Sequence, residues 1–343
     1  MTQTQINMAT LYERLSEIGF SEKFVREKAL PDWWDEEFEA EPMAVVEATA
    51  YVSRRLNLDI ASLVQLPVAV PAFKQSCNAK FKTQQGTDPK QLKLAQCMAA
   101  RVAEMVAYAC VPECKPLPTS ALDVRNEIRK THNFVNLEGL LDFCCNYGIP
   151  VVHFDEFPTS KGVRKFNGMV GCFYNRPVIV ISLKHRSPAK LLFIVAHELG
   201  HIIKGHIQGA SIVDEEIEPE STDIEEIEAS EFAVELLVGK PDMGYYTPRI
   251  FSGDSLATYA ERNSTRDNVD PGVVVLNYAW SKASLAATKT ERGIIWATAS
   301  KALKIIEGDA DAPTQINRYV QTYLDLDKLD GDSQDYLELA LAG

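Results

Sequence analysis

The sequence predicts an α+β fold, in which a small antiparallel or mixed sheet packs against one buried helix between largely helical N- and C-terminal regions. The strand-like runs GMVGCFY (168–174) and PVIVISL (177–183) are joined by Asn175–Arg176, which indicates a tight hairpin. The next segment, AKLLFIVAHELGHIIKGH (189–206), predicts a helix of about four to five turns that ends near Gly205. Helical spacing of apolar residues recurs in the first 66 residues and in 91–110.

The segment KPLPTS (115–120) is the clearest boundary, because two prolines precede a serine that can cap the next helix. We therefore expect a helical N-terminal domain at 1–115, a central domain at 116–240, and a mostly helical C-terminal extension at 241–343 that packs on the central domain. Within the central domain, residues 121–148 predict two helices, and IPVVHFDEF predicts a short strand. A last helix, IEEIEASEFAVELLVG, should end at Gly239.

Composition excludes several classes of function. The formal net charge of −13 over 343 residues argues against bulk affinity for nucleic acid or anionic membranes. No apolar run approaches the roughly 20 residues of a membrane span, and the N-terminus shows no secretory signal pattern. Seven scattered cysteines form no paired CxxC knuckles, so we expect buried, reduced thiols in a cytoplasmic protein rather than a four-cysteine zinc site.

The motif HELGH (197–201) carries the chemistry. On a helix, His197 and His201 lie on one face and can share a metal ion at about 2.0–2.1 Å from each nitrogen. Glu198 would lean beside the metal, where it can take a proton from a metal-bound water and pass it to a leaving amine. Because the motif follows six apolar residues, an uncompensated pair of histidines there would be costly, which favours a metal site.

A catalytic zinc takes a third protein ligand, and a carboxylate of the following acidic segment is the natural source. The candidates are Asp223, Glu225, Glu226, Glu228, Glu231 and Glu235. Glu228 has Ile224 four residues before it and Phe232 four residues after it, so it would project from an apolar stripe. We therefore choose Glu228, with Glu231 in reserve, and assign Glu225, Glu226, Glu231 and Glu235 to a solvated face. His206 is rotated by about 140° from His201, which argues against it as a ligand.

HELGH followed by an acidic loop and EASEFAVELLVG resembles the ImmA/IrrE family of bacterial metallopeptidases. The resemblance spans roughly 120–240, and Ser230 stands where the family usually has Asn. It implies a zincin-like metallopeptidase core with Glu228 as the third zinc ligand. It also implies proteolysis of regulatory proteins, such as helix-turn-helix repressors or antitoxins of mobile elements, stress responses or toxin–antitoxin loci.

Within such a fold, PVIVISL would lie antiparallel to a bound peptide or near it, since peptides often add to a sheet edge. Candidate donors to the oxyanion of the reaction are Tyr174, Tyr245, Tyr246 and His206. The ligand types do not distinguish zinc from manganese or iron.

The flanking regions show weaker signals. The segment 73–101 is locally basic, with Lys74, Lys80, Lys82, Lys90, Lys93 and Arg101 against Asp88 alone. It is either a solvated helix face or a contact for nucleic acid or an acidic partner. The N-terminal helices allow a divergent helix-turn-helix, and Trp33 and Trp34 either anchor this domain on its neighbour or form a partner surface.

Three functions follow from these observations. The first is a zinc endopeptidase of narrow specificity that cleaves a protein substrate, with Glu198 as general base and acid. The alternative is a non-proteolytic metal-binding regulatory or protein-interaction module. The third is a transcription regulator that combines a protease with a DNA-binding part. Glu198 favours the enzyme, because a purely structural zinc site has no need of it.

Overall fold

A computed structural model describes residues 6–64, 70–74, 79–82, 89–159, 166–207, 211–214, 222–241 and 244–342. The N-terminal α-helices are α1 (Met8–Glu17), α2 (Glu22–Phe24), α3 (Pro42–Arg55), α4 (Ile60–Val64) and α5 (Pro89–Ala109). The central α-helices are α6 (Ala121–Ile128), α7 (Leu137–Asn146), α8 (Pro188–Ile203) and α9 (Ile224–Val238). The C-terminal α-helices are α10 (Gly253–Asp267), α11 (Pro271–Ala283), α12 (Lys289–Glu307), α13 (Ala312–Gln321) and α14 (Gly331–Leu341).

The strands form one mixed sheet in the described part of the chain. They are β1 (Ala79–Lys82), β2 (Val151–His153), β3 (Gly168–Phe173), β4 (Arg176–Ile181) and β5 (Ser211–Asp214), in the order β1-β5-β3-β4-β2. The β3 strand pairs antiparallel with β4 and β5, whereas β1–β5 and β2–β4 are parallel pairs. The predicted α+β fold, a small mixed sheet beside a buried helix, is confirmed.

The β3–β4 hairpin turns at Tyr174–Asn175, one residue earlier than the sequence suggests. Both residues have positive φ, 51° and 60°, as the two-residue turns that match strand twist require. Arg176 is the first residue of β4, and its guanidinium donates to the carbonyls of Pro112 and Gly148, each at 2.7 Å. The arginine thereby fastens the start of β4 to the loop that follows α5.

The sheet separates two hydrophobic cores. In β3 and β4, Val170 and Ile179 belong to the metal-side core, which contains the apolar residues of α8, α9 and α11. Their neighbours Met169 and Val180 face the N-terminal core, which contains the apolar residues of α1, α3, α5 and α14. This alternation is the period of two that a strand imposes when both of its faces are covered.

The division into three domains stays a prediction, but the described contacts cross both expected boundaries. Strand β1, from the N-terminal segment, pairs with β5 of the central one. Near the C-terminus, Asp332 of α14 accepts from the Arg55 guanidinium at 2.8 Å in the N-terminal core. The C-terminal extension thus contributes to both cores.

Among the described residues, no helix is both long and apolar enough to cross a bilayer.

The cysteines agree only in part with the expected burial. Six are described, all as free thiols; Cys97, Cys110 and Cys144 are buried, whereas Cys114 and Cys172 are exposed. The expectation of burial is therefore wrong for these last two. Both lie on loop or strand positions that face solvent rather than either core.

The N-terminal aromatic residues form a cluster of their own. The Trp33 ring lies about 6 Å from the rings of Trp34, Phe38 and Tyr51, and Trp33 is 53% exposed. In the basic segment, Arg101 is paired with Glu104, while the side chains of Lys80, Lys82 and Lys90 lie outside the described ones. Contacts of this segment with nucleic acid or an acidic partner stay a prediction, and so does the helix-turn-helix.

The helices α11 and α12 dock on the first turn of α8. Glu307, at the end of α12, accepts from Ser187 Oγ at 2.8 Å and from the Ala189 amide at 3.0 Å. Asp270 caps α11 by accepting from the amides of Gly272 and Val273. Burial raises the pKa of the Asp270 carboxyl to about 6, and the nearby Glu307 adds to that effect.

The elevated pKa of Asp270 predicts a pH dependence of stability. The pKa of Asp270 in the folded protein lies above its ordinary value of about 4. Between pH about 4 and 6, the folded protein therefore binds more protons than the unfolded chain does. The contribution of this group to the free energy of unfolding is therefore highest at the acid end and is lost as the pH rises through 6.

Asp270→Asn keeps the capping oxygen and removes the titration. The difference in the free energy of unfolding, variant minus wild type, should rise by on the order of 3 kcal/mol between pH 4 and pH 8. Urea unfolding followed by circular dichroism measures it. Parallel pH profiles of the two proteins would contradict this account.

Candidate metal centre

The helix α8 places the HELGH residues inside the protein. Ser187 caps it by accepting from the Lys190 amide, Pro188 occupies its first turn, and Gly205, with φ +75°, follows its end. His197, Glu198 and His201 are each completely buried. The predicted helix and its end are confirmed.

The helix α9 crosses α8 at a position without a side chain. A Cβ on Gly200 would lie 3.1 Å from both the Cα and the carbonyl oxygen of Ala229, and 3.2 Å from the Phe232 ring. Glycine at 200 and alanine at 229 therefore let the two helices approach closely. Ala233, one turn further along α9, is also buried at this contact.

This crossing brings Glu226, and not Glu228, to the histidines. Glu226 Oε2 lies 3.3 Å from His197 Nε2, and Glu226 Oε1 lies 3.3 Å from His201 Nε2. These three residues are the group in the described chain whose ligand atoms converge closely enough for a metal ion. Glu226 is 7% exposed, so the expectation that it lies on a solvated turn is wrong.

The choice of Glu228 as third ligand is corrected by the same geometry. Its side chain is 46% exposed and pairs with His206 at 2.9 Å. The apolar stripe used to choose it is not buried throughout, because Ile224 is 71% exposed. Glu231, the reserve, is exposed as well. The signal that identifies Glu226 is instead its position three residues before the small residue Ala229, which faces Gly200.

The distances between the ligand atoms suit a bound metal ion. Two ligand atoms at about 2.0–2.1 Å from a tetrahedral ion lie roughly 3.3–3.4 Å apart. The Nε2 atoms of His197 and His201 are 3.1 Å apart, and each is 3.3 Å from a Glu226 oxygen. Two imidazoles and one carboxylate form the donor set of a catalytic zinc site, which leaves a fourth position for solvent or substrate.

A second layer of side chains orients both imidazoles. His201 Nδ1 lies 2.9 Å from His206 Nδ1, and the opposite ring nitrogen of His206 donates to Glu228. With neutral His206, its Nδ1 is the acceptor, so His201 donates from Nδ1 and keeps the Nε2 lone pair for a metal. Ser230 Oγ lies 3.3 Å from His197 Nδ1 and serves the other ring in the same way.

Glu198 is held against the sheet. A Cβ on Gly168, the first residue of β3, would lie 2.0 Å from Glu198 Oε1 and 2.9 Å from Ile194 Cγ2. The absence of a side chain at 168 is what lets the Glu198 carboxylate lie there.

The suggested oxyanion donors have contacts of their own. Tyr174 lies in the β3–β4 turn, at the other end of β3 from Gly168, and is 63% exposed. Tyr245 donates to Asp267 at 3.1 Å, and Tyr246 is half exposed with the Lys282 amine over its ring. His206 lies behind His201, as described above.

Strand β4 offers no free edge to a peptide along residues 179–181. Residues 176–181 pair with β3 on one side, and residues 179–181 pair with β2 on the other. An antiparallel substrate strand along this part of PVIVISL is therefore excluded, since both sets of backbone groups are already bonded.

The comparison with known families agrees with this arrangement. Residues 146–262 match the IrrE N-terminal-like domain family, Peptidase_M78. The match includes α8 and α9 with all of the residues of the metal centre, and it confirms the family resemblance. It suggests a metallopeptidase type of function for this third of the chain. No curated protein matches the sequence.

Replacing each of the two glutamates by glutamine tests which of them is the metal ligand. Glu226→Gln should weaken zinc binding by about 100-fold or more, because it removes a direct ligand, whereas Glu228→Gln acts only through His206 and should weaken it less than about tenfold. Competition with a chromophoric chelator, on protein shown to be folded by circular dichroism, measures both. A larger loss for Glu228→Gln would restore Glu228 as the ligand.

Alanine at 168 tests the contact of Glu198 with the sheet. Gly168→Ala should lower the free energy of unfolding by about 1–3 kcal/mol, because the new methyl group overlaps the buried carboxylate. Gly293→Ala in α12 is the matched control: nothing lies within 4 Å of its added Cβ, so the free energy of unfolding should stay or rise slightly. Urea titrations that give the same change in the free energy of unfolding for Gly168→Ala and Gly293→Ala would contradict the contact between Gly168 and Glu198.

Proposed function

We propose that this protein is a zinc-dependent endopeptidase of narrow specificity. The observation that carries the proposal is the convergence of His197, His201 and Glu226 at distances that suit a tetrahedral ion, with buried Glu198 directly after the first histidine. The match of 146–262 to a peptidase family supports it.

Each residue has a role in peptide hydrolysis. A bound zinc ion supplies Lewis acidity and lowers the pKa of a water ligand to about 7. Glu198 accepts the proton of the attacking water and later donates it to the leaving amine, so one carboxylate serves both halves of the reaction. Gly168 sets the position of that carboxylate, while Ser230 and His206 set the orientation of the two imidazoles.

The substrate in this proposal is a regulatory protein, such as a helix-turn-helix repressor or an antitoxin, in the cytoplasm. This part rests on the ImmA/IrrE resemblance, and it agrees with the six described cysteines, which form no disulfide. Two histidines and one carboxylate also suit iron or manganese, so metal analysis of the purified protein belongs to the test.

The rival is a metal-binding module without proteolysis. A structural zinc site closes its coordination with four protein ligands, whereas three converge here in the described chain. Glu198 would then have no chemical task, although its complete burial is costly. Both observations favour the enzyme.

Glu198→Gln separates the two functions. The variant keeps the shape of the side chain, so it should bind one zinc like wild type, and it should cleave its substrate at least about 100-fold more slowly because the proton carrier is lost. Zinc content is measured by elemental analysis. Cleavage is followed by mass spectrometry after co-expression with proteins encoded by neighbouring genes.

Glu261→Gln, at an exposed position of α10, is the control and should behave like wild type. Unchanged cleavage by Glu198→Gln, or a wild-type protein that binds its partner and never cuts it, would refute the enzymatic function.

A further inference from the structure

A cavity of about 420 Å³ lies between α8, α9, α11 and α12. Twelve of its eighteen lining residues are apolar, which is the composition of a pocket that binds an apolar group. A cavity of about 150 Å³ is enough to hold benzene, so this one can accept a large side chain with room to spare.

Aromatic rings form one wall of the cavity. The ring of Phe193 in α8 lies 5.7 Å from that of Trp280 in α11, which in turn lies 6.4 Å from that of Trp296 in α12. The Trp280–Trp296 pair is arranged edge to face, and the Phe193–Trp280 pair is tilted. Such walls favour binding of a further aromatic ring, because tilted and edge-to-face aromatic pairs are stabilised by more than the burial of their apolar area.

The cavity adjoins the metal centre at two points. Phe193 and Ser230 line it, and both contact His197: the rings of Phe193 and His197 are 6.5 Å apart, and Ser230 Oγ is 3.3 Å from His197 Nδ1. Asn167 also lines it and directly precedes Gly168, where the Glu198 carboxylate lies. A group in the cavity would thus lie beside residues that contact His197 and next to the strand start that holds Glu198.

Several polar groups of the lining are engaged elsewhere or face solvent. Asn277 Oδ1 accepts from the Tyr245 amide at 2.7 Å, and Lys190 Nζ lies 3.1 Å from His185 Nε2. Glu231 is exposed to solvent. The apolar and aromatic surface therefore remains as the part of the lining that a ligand can use.

We propose that this cavity binds a large apolar side chain of the peptide substrate, preferably an aromatic one, at or next to the bond that is cleaved. The proposal rests on the endopeptidase function above and adds the class of residue that directs cleavage. One wall of the cavity comes from α11 and α12, which lie beyond the segment that matches the peptidase family. The C-terminal extension would thus select the substrate.

Binding of a small probe tests the cavity without any need for catalysis. The chain has four tryptophans, so a Trp33→Phe/Trp34→Phe background leaves Trp280 and Trp296 as the fluorescent residues. N-acetyl-phenylalaninamide should change their emission with a dissociation constant on the order of 1 mM, and N-acetyl-alaninamide should bind at least about tenfold more weakly.

Val234→Phe, which adds a ring to the cavity wall, should weaken binding of the phenylalanine probe by about tenfold or more. Ile305→Phe is the matched control, because Ile305 is 51% exposed in α12 and does not line the cavity. Equal binding of the two probes, or equal effects of the two variants, would overturn the proposal.

Cleavage of a peptide mixture provides the second measurement. Wild type should cut next to Phe, Tyr, Trp, Leu or Met, and Val234→Phe should shift the products toward smaller residues while Ile305→Phe leaves them unchanged. Cleavage without such a preference would overturn the pocket assignment alone. Probe binding without cleavage of any peptide or protein would support the pocket and refute the endopeptidase.

Discussion

The close approach of α8 and α9 is the contact on which the metal centre depends. It is possible because Gly200 has no side chain and Ala229 has only a methyl group. A Cβ on Gly200 would lie only 3.1 Å from the backbone of Ala229. Glu226, three residues before Ala229, then faces His197 and His201. A carboxylate with 7% exposure is costly unless it is paired or bound to a metal, and these histidines provide that compensation.

The sheet supports α8. The sheet itself is held in place because a hydrophobic core covers each of its two faces. Val170 and Ile179 pack under α8 in the metal-side core, while Met169 and Val180 enter the N-terminal core. The first 109 residues contribute no described residue to the metal centre, yet their helices support β3, the strand that begins at Gly168, against which Glu198 lies. Close-packed cores transmit displacement, so the N-terminal helices help to hold the Glu198 carboxylate in place.

Sequence reasoning succeeds here where the geometry is local. The pairing of His197 with His201 follows from a spacing of four on one helix, and the ends of α8 and α9 follow from Gly205 and Gly239. The choice between Glu226 and Glu228 fails, because it depends on which face of α9 meets α8, and that is decided by a contact with Gly200 about 30 residues away. The hydrophobic stripe is misleading, since Ile224 lies at the exposed start of α9. The cavity escapes prediction for the same reason, because its walls come from four separate helices.

Under the proposed function, chemistry and selectivity come from different parts of the chain. The ligands, Glu198 and the second layer all come from α8, α9, the turn after α8 and the start of β3, within the segment that matches the peptidase family. The tryptophans of the cavity come from α11 and α12. Glu307 of α12 is hydrogen-bonded to Ser187 and Ala189 at the start of α8, two to three turns before His197. The tryptophans belong to helices that hold none of the metal-centre residues, so this side of the cavity can differ in sequence while His197, His201 and Glu226 stay the same. Under the proposed function, a narrow specificity would arise in the extension and the chemistry in the segment that matches the family.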